Sequence, residues 1–234
     1  MNLRSWTRAL DPMPPTESSR NARAGQRLPV AIAIVAVLLL LVALPERVRA
    51  APNWVILLVG LLVLVPMAGV TLTAADPRWV RAERRMTVLV CILMGSSSVA
   101  NLVFLVRAML SESPASSGLV LLSSGTAVWF TNILVFSLLY WQLDRGGPEG
   151  RLGDSAARAD WQFPQAQPPN DTPPGWQPLF LDYLALGFTT ATAFSPADVL
   201  PLSRRAKALM MLESFISLVT IVVVGARAIN ILGR

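Results

Sequence analysis

The amino-acid sequence predicts an all-α, polytopic membrane protein with about five full spans and one short helix expected to be re-entrant. Three observations predict it. Charged residues make up 15% of the chain and hydrophobic ones 53%, whereas a soluble domain carries roughly 25% charged residues. Apolar runs of membrane length recur along the chain. Finally, Phe180 to Pro201 (FLDYLALGFTTATAFSPADVLP) joins a short apolar segment, through hydroxyls and prolines, to a full-length apolar span. Backbone that is not helical persists at membrane depth only where protein buries it or a wet cavity receives it. Any function is therefore expected in this stretch.

Taken in order, residues 1–27 are rich in Arg, Pro, Ser and Asn without apolar periodicity, and are expected to be a disordered cytoplasmic tail. Arg4, Arg8, Arg20, Arg23 and Arg27 precede the first apolar run, a leader too long for a simple signal peptide. That run is read as a retained anchor.

A three-span region is expected over 28–117. The first span, Leu28 to Leu44, is near the lower length limit for crossing. The second, Trp54 to Ala74, contains Pro66, where a kink is expected. The loop Asp76 to Arg85 carries Arg78, Arg81, Arg84 and Arg85. The third span, Met86 to Leu110, has a polar middle of Gly95, Ser96, Ser97, Ser98 and Asn101. Helix packing through small residues is the preferred reading of it, over the lining of a pathway.

The region 118–234 begins with a fourth span, Gly118 to Leu143, whose terminal Tyr140-Trp141 is expected to mark a membrane interface. The segment 144–177 is dense in Gly, Pro, Asp and Gln and reads as a linker with little regular structure. Its Trp161, Phe163 and Trp176 are expected to dock on the membrane interface. The hairpin 178–203 starts at Pro178, which suits a helix start. Phe180, Leu181, Leu184 and Phe188 follow at helical spacing, with Asp182 in the early turns. Fifteen or so helical residues give about 23 Å against a hydrocarbon core of roughly 30 Å. This helix should therefore stop inside the membrane or tilt. Ser203 is expected to cap the last span, Ala206 to Leu232, with Arg204 beside it.

Composition excludes several kinds of chemistry. There is no histidine, and Cys91 is the single cysteine. Cys/His zinc sites and His-activated nucleophiles are therefore out of reach. Asp182, Asp198 and Glu213 are spaced as no hydrolytic or phosphoryl-transfer motif. No catalytic residue, metal site or cofactor is expected, and the chain is not read as an enzyme. The net charge of +6 sits between apolar runs, as the positive-inside rule requires, and no groove-reading surface for nucleic acid is visible. Arginine supplies nearly all cations, Lys207 being the one lysine, a bias that fits a GC-rich bacterial genome; the expected location is the bacterial inner membrane.

The run Phe188-Thr189-Thr190-Ala191-Thr192-Ala193-Phe194-Ser195-Pro196-Ala197-Asp198 resembles the pore-helix end and filter of potassium channels, T-T-x-T-x-V-G-Y-G-D. Thr189, Thr190 and Thr192 match the family's threonines, and Asp198 its closing aspartate. Pro201 matches a proline that often follows. The last span, with Glu213 near its start, is similar to the inner helix of two-span pore modules, and the fourth span could stand for the outer helix. The hairpin is also similar to that of bacterial membrane families of unknown function. This resemblance implies a homo-oligomer, a tetramer if the protein is channel-like, and a monovalent cation as ligand in a lipid bilayer. Thr189, Thr190, Thr192, Ser195 and Asp198 are then the pore-loop candidates.

The departures bear on chemistry. Ser195, Pro196 and Ala197 fall on the family's Gly-Tyr-Gly. A potassium filter turns successive carbonyls toward the ion, and glycine permits the backbone angles this needs. Pro196 fixes φ near −65° and restricts Ser195. A potassium-selective filter of that geometry is not expected. The function read from the sequence is a multi-pass membrane protein with a channel-like hairpin that is ion-permeable in one reading. The other reading is a non-conducting scaffold or partner-binding protein.

Glu213 is an ionisable group within a span, hence a functional candidate. It is expected either near the interface or paired with Arg205 or a pore-helix hydroxyl. With the N-terminus cytoplasmic, the tail and the Asp76–Arg85 loop lie inside. Four spans then place the 144–177 linker inside too, although the matching linker of potassium channels is extracellular. Either the hairpin enters from the other side, or the first run does not cross, or the channel analogy fails in topology.

Overall fold

A computed structural model describes residues 17–44, 46, 52–73, 76–110, 118–152, 157–166, 176–193 and 198–232. Within these, side chains are described except at 17–26, 98, 101, 105, 108–110, 118–121, 152 and 227–232. The helices are α1 (Glu17–Ala43), α2 (Asn53–Leu72), α3 (Pro77–Leu110), α4 (Gly118–Leu143), α5 (Pro148–Leu152), α6 (Phe180–Ala193) and α7 (Arg204–Leu232). Two-residue strands β1 (Trp161–Gln162) and β2 (Leu200–Pro201) pair antiparallel, Trp161 opposite Pro201 and Gln162 opposite Leu200. The all-α class holds.

Four helices are long and apolar enough to cross a membrane: Asn53–Leu72, Pro77–Phe104, Leu122–Gly146 and Arg204–Ala226. Arg27–Ala43 is apolar but shorter. The expected five full-length spans thus become four of crossing length and one short helix among the described residues. The α4 window is 61% buried inside the molecule and the other three 28% to 33%, which makes α4 the central helix. It packs on α1, α3, α6 and α7 through Val128, Ile133, Val135, Phe136 and Leu138. The outer helices bury one stripe and expose the other. In α1, Val30, Ile34, Val37 and Leu41 face inward while Leu28, Ile32, Val35 and Leu39 are exposed. Exposed leucine and isoleucine along a whole helix face suit lipid better than water.

Several elements differ from the sequence reading. Helix α1 starts at Glu17, inside the segment read as a tail, and Arg27 is buried. Helix α3 starts at Pro77, so the arginines assigned to a loop occupy its first turns. There Asp76 Oδ1 accepts the Arg78 amide at 2.7 Å, the kind of cap that lets a polar segment join a helix. Helix α2 runs from Asn53 to Leu72 with Pro66 inside it, where the sequence reading also places that proline. A Cβ on Gly95 would meet nothing within 4 Å, and Ser96 is exposed with its hydroxyl on Ile92 O at 2.9 Å. Close helix packing is therefore not found at those two positions; the Ser98 and Asn101 side chains lie outside the described ones. Tyr140 and Trp141 are buried at 0% and 2%, so they do not mark a lipid interface.

The largest correction concerns the linker. Its described parts form a turn, α5 and β1. Trp161 and Phe163 are buried, and Trp176 is half-buried. The Trp161 ring lies 4.8 Å from Tyr140, and Phe163 lies 5.3 Å edge-on from Tyr183 and 6.0 Å from Trp176. These aromatics close the end of the helix bundle instead of docking on a membrane surface, because the turn after α4 folds them back over it.

Candidate functional site

The hairpin enters beside the end of α4 and returns to the same end. At its start, Leu179 N donates to Asp182 Oδ2 at 2.7 Å, a side-chain cap on the first turn. Helix α6 begins at Phe180, two residues after Pro178. Phe180 packs edge-on against Trp141, with centroids 6.3 Å apart, and Tyr183 Oη donates to Asp144 Oδ2 at 2.7 Å. Its 14 residues span about 21 Å. By its last turns it has reached Trp129, whose ring lies 6.2 Å from Phe188. Trp129 is three turns back along α4 from Tyr140. Seven residues after Ala193 the chain is again at the α4 end, where β2 pairs with β1 and Leu202 N donates to Asp160 O at 2.8 Å.

A helix that ends at depth leaves carbonyls without partners. Helix α7 supplies them. Ser214 Oγ donates to Thr190 O at 3.3 Å and Ser217 Oγ to Ala191 O at 2.6 Å. Ser217 Oγ also accepts from Trp129 Nε1 at 2.6 Å, so one hydroxyl ties α4, α6 and α7 together.

Between these helices runs a sealed polar seam. Glu213, Asn132, Ser137, Ser217 and Thr220 are all 0% exposed. Tyr140 Oη donates to Glu213 Oε2, and Asn132 Nδ2 to Glu213 O at 3.2 Å. Gly187 lets α6 approach: a Cβ there would collide with Ser137 Oγ and lie 3.2 Å from Ile133 O and 3.3 Å from Glu213 Oε1. Among the described residues, Glu213 Oε1, Asn132 Oδ1 and Thr190 Oγ1 are buried without a hydrogen-bond partner. Buried oxygens of this kind carry a desolvation cost.

Asp144 organises the end of the bundle. Its Oδ1 accepts the Asp160 amide at 2.7 Å and the Trp161 amide at 3.4 Å, while Oδ2 receives Tyr183. The turn beside it has left-handed φ of 49° at Arg145, 81° at Gly146 and 93° at Gly147. Two of these three are glycine, which bears that region without strain. The carbonyls ending α4 are answered by arginines. Arg151 Nη1 donates to Trp141 O at 2.7 Å, and Arg205 Nη2 to Leu143 O at 3.3 Å. Arg151 also lies over the rings of Trp141 and Tyr183, at 5.5 and 5.2 Å. Burial lowers its pKa from the ordinary arginine value, partly offset by Tyr183 and Asp144; arginine stays cationic even so.

Two further ion clusters join the same end. Arg205 Nε donates to Asp160 Oδ1 at 2.7 Å, and Arg205 Nη2 pairs with Asp160 Oδ2. Arg27 Nη2 pairs with Glu83 at 3.0 Å and with Glu149 at 2.8 Å. The start of the apolar part of α1 is thereby in direct contact with the segment after α4.

The sequence-derived candidates fare differently. Thr189 and Thr192 return their hydroxyls to their own helix, on Ala185 O at 2.9 Å and Phe188 O at 2.7 Å. Thr190 is buried at 1% against α7. Asp198 is exposed. Ser195, Pro196 and Ala197 lie outside the described residues. Glu213 is wholly buried and is not paired with Arg205, because Asp160 holds that guanidinium and Tyr140 holds the carboxyl. Ser203 caps α7 as expected, accepting the Ala206 amide at 3.1 Å. The sequence reading gives Asn132, Asp144, Ser214 and Ser217 no role in the site and takes Tyr140 only as an interface marker. A signal was present for Ser217: Glu213, Ser217 and Thr220 fall at i, i+4 and i+7, one polar stripe on an otherwise apolar helix. No protein-family model matches this chain, and neither does any curated protein or solved structure with which it was compared.

Proposed function

We propose that this is a multi-pass membrane protein whose C-terminal half keeps the build of a pore module as architecture, without a potassium-selective filter. The observation that carries this reading is the short helix α6, which ends part way along α7 with its carbonyls received by Ser214 and Ser217. A helix so terminated is suited to stop inside a bilayer. The loss of filter chemistry is supported by Ser195 and Ala197 in place of the two glycines and Pro196 in place of the tyrosine, and by the in-helix bonds of Thr189 and Thr192. No catalytic role is proposed.

The Arg27–Glu149 contact bears on topology. Groups that touch lie on one side of a membrane, so an even number of crossings separates them. Helices α2, α3 and α4 make three, which supports α1 as a fourth and, with α7, five spans. The touching end carries the arginines of α3, α5 and the α7 start. The positive-inside rule then supports a cytoplasmic N-terminus, linker and hairpin entrance. Arginine in place of lysine fits a bacterial source, and helical spans fit its inner membrane.

A second reading, passage of monovalent cations through a homo-oligomer assembled around the hairpin, is favoured by the exposure of Thr192 and Asp198. Flux of potassium and sodium into liposomes holding the full-length protein separates the two. The first reading expects no selective flux. Potassium-selective flux that disappears with Thr192→Val or Ser195→Ala would overturn it and establish the second.

A further inference from the structure

At the arginine-rich end an open cleft of about 1030 Å³ lies between the first turns of α3, the turn after α4, the residues before β1 and the start of α7. Arg81, Arg84, Arg158 and Arg205 line it, together with Glu149 and Asp160. Both acids are already engaged, Glu149 by Arg27 and Asp160 by Arg205. The cations are not used up in the same way. Arg84 and Arg158 are exposed and have no hydrogen bond or ion pair among the described residues. Arg81 spends its Nε on Pro77 O at 3.1 Å and keeps its remaining donors. Arg205, oriented by Asp160, still has 52% of its side chain exposed. The Arg84 guanidinium passes close over the turn, with Nη1 3.9 Å from where a Cβ on Gly146 would stand.

Membrane orientation alone accounts for arginines at this end, but not for their convergence. The positive-inside rule needs charge near the ends of spans and is indifferent to where the side chains meet. Here arginines from α3, the segment before β1 and the start of α7 line one concavity; Arg205 is paired with Asp160 and Glu149 with Arg27, which leaves Arg81, Arg84 and Arg158 as its unpaired cations among the described residues. Planar N–H forks converging in this way fit an anion with several oxygens. Basic pockets at the ends of membrane helices are where phosphate-bearing headgroups are accommodated. We propose that this cleft binds a phosphate group, carried by an anionic lipid or by a soluble phosphate.

The test uses the full-length protein in zwitterionic nanodiscs at fixed ionic strength. It is titrated with dioctanoyl phosphatidate, with inorganic phosphate and with dioctanoyl phosphatidylcholine as the zwitterionic control. Saturable binding of phosphatidate is expected, weakened roughly tenfold by Arg84→Gln or Arg158→Gln, as for the loss of a charge-assisted hydrogen bond. Both side chains are exposed and unbonded, so neither change endangers the fold. Arg85→Gln removes the same charge from the neighbouring position on α3, outside the cleft, and should leave the affinity within about twofold because solvent and salt screen an exposed charge. Binding of phosphatidate without inorganic phosphate assigns the site to a lipid headgroup, and binding of both assigns it to the phosphate group from either source. Saturable binding of neither, an affinity unmoved by Arg84→Gln and Arg158→Gln, or an equal loss with Arg85→Gln would overturn the proposal.

Discussion

Tyr140 of α4 donates its phenolic O–H to Glu213 Oε2 of α7, and both residues are wholly buried. The bond joins the two most extensively packed helices of the C-terminal half at a place where water does not compete for either partner. Tyr140→Phe should therefore lower stability by about 1–2 kcal/mol, read by reversible unfolding in mixed micelles. Glu213→Gln, which can still accept from Tyr140, should cost less than Glu213→Leu, which cannot. A double-mutant cycle on Tyr140→Phe and Glu213→Leu should show coupling, and additive effects would mean that the bond contributes nothing of its own.

Gly187 is expected to tolerate no side chain. A Cβ there would collide with Ser137 Oγ and crowd Ile133 O and Glu213 Oε1, and backbone oxygen cannot move aside. Gly187→Ala should destabilise the protein by about 1–3 kcal/mol, the usual cost of overpacking. Combining it with Ser137→Gly, which removes the first obstacle, should recover part of the loss. Melting curves of the four proteins measure this.

Asp144 holds the segment after α4 through two backbone amides and Tyr183. Asp144→Ala leaves those buried donors unanswered, at about 1–3 kcal/mol, and should release the Trp161 indole from the Tyr140 ring. A red-shifted tryptophan emission and faster proteolysis between residues 145 and 175 are the expected outcomes. Tyr183→Phe removes one of the three bonds and should have a smaller effect of the same kind.

Sidedness can be read by single-cysteine labelling after replacement of Cys91. Arg158→Cys and Arg81→Cys, at the arginine-rich end, should react from the same side of sealed vesicles. Glu46→Cys, beyond the other end of α1, should react from the opposite side. If Glu46→Cys and Arg81→Cys label together, α2, the one helix between them, does not cross, and the count of four crossings between Arg27 and Glu149 fails.

The helices were legible because apolar run length and caps are local properties. Helix α4 is found at Gly118–Leu143, where the sequence placed its span, and Ser203 caps α7. The linker was not legible. Its Gly, Pro and Asp content does describe a chain that cannot form long helices, yet Trp161 and Phe163 are ordered by Asp144 and Tyr183. These contacts lie 17 to 39 positions apart from Asp144. The candidate site was half legible. The hairpin could be placed from its short helix and hydroxyls, but the serines that terminate it belong to α7.

By itself, the sequence determined the all-helical membrane class, the short length of α6 and the absence of histidine chemistry, since each follows from composition or from runs along one segment. Only the tertiary structure decided the pairings. Arg205, offered to Glu213 by the sequence reading, takes Asp160, because the turn after α4 brings that carboxylate to the helix start. Glu213 then turns inward to Tyr140, and Arg27 leaves the tail to bridge Glu83 and Glu149. A buried charge or hydroxyl takes whichever partner the packing brings within about 3 Å, and that choice is made between helices rather than along them.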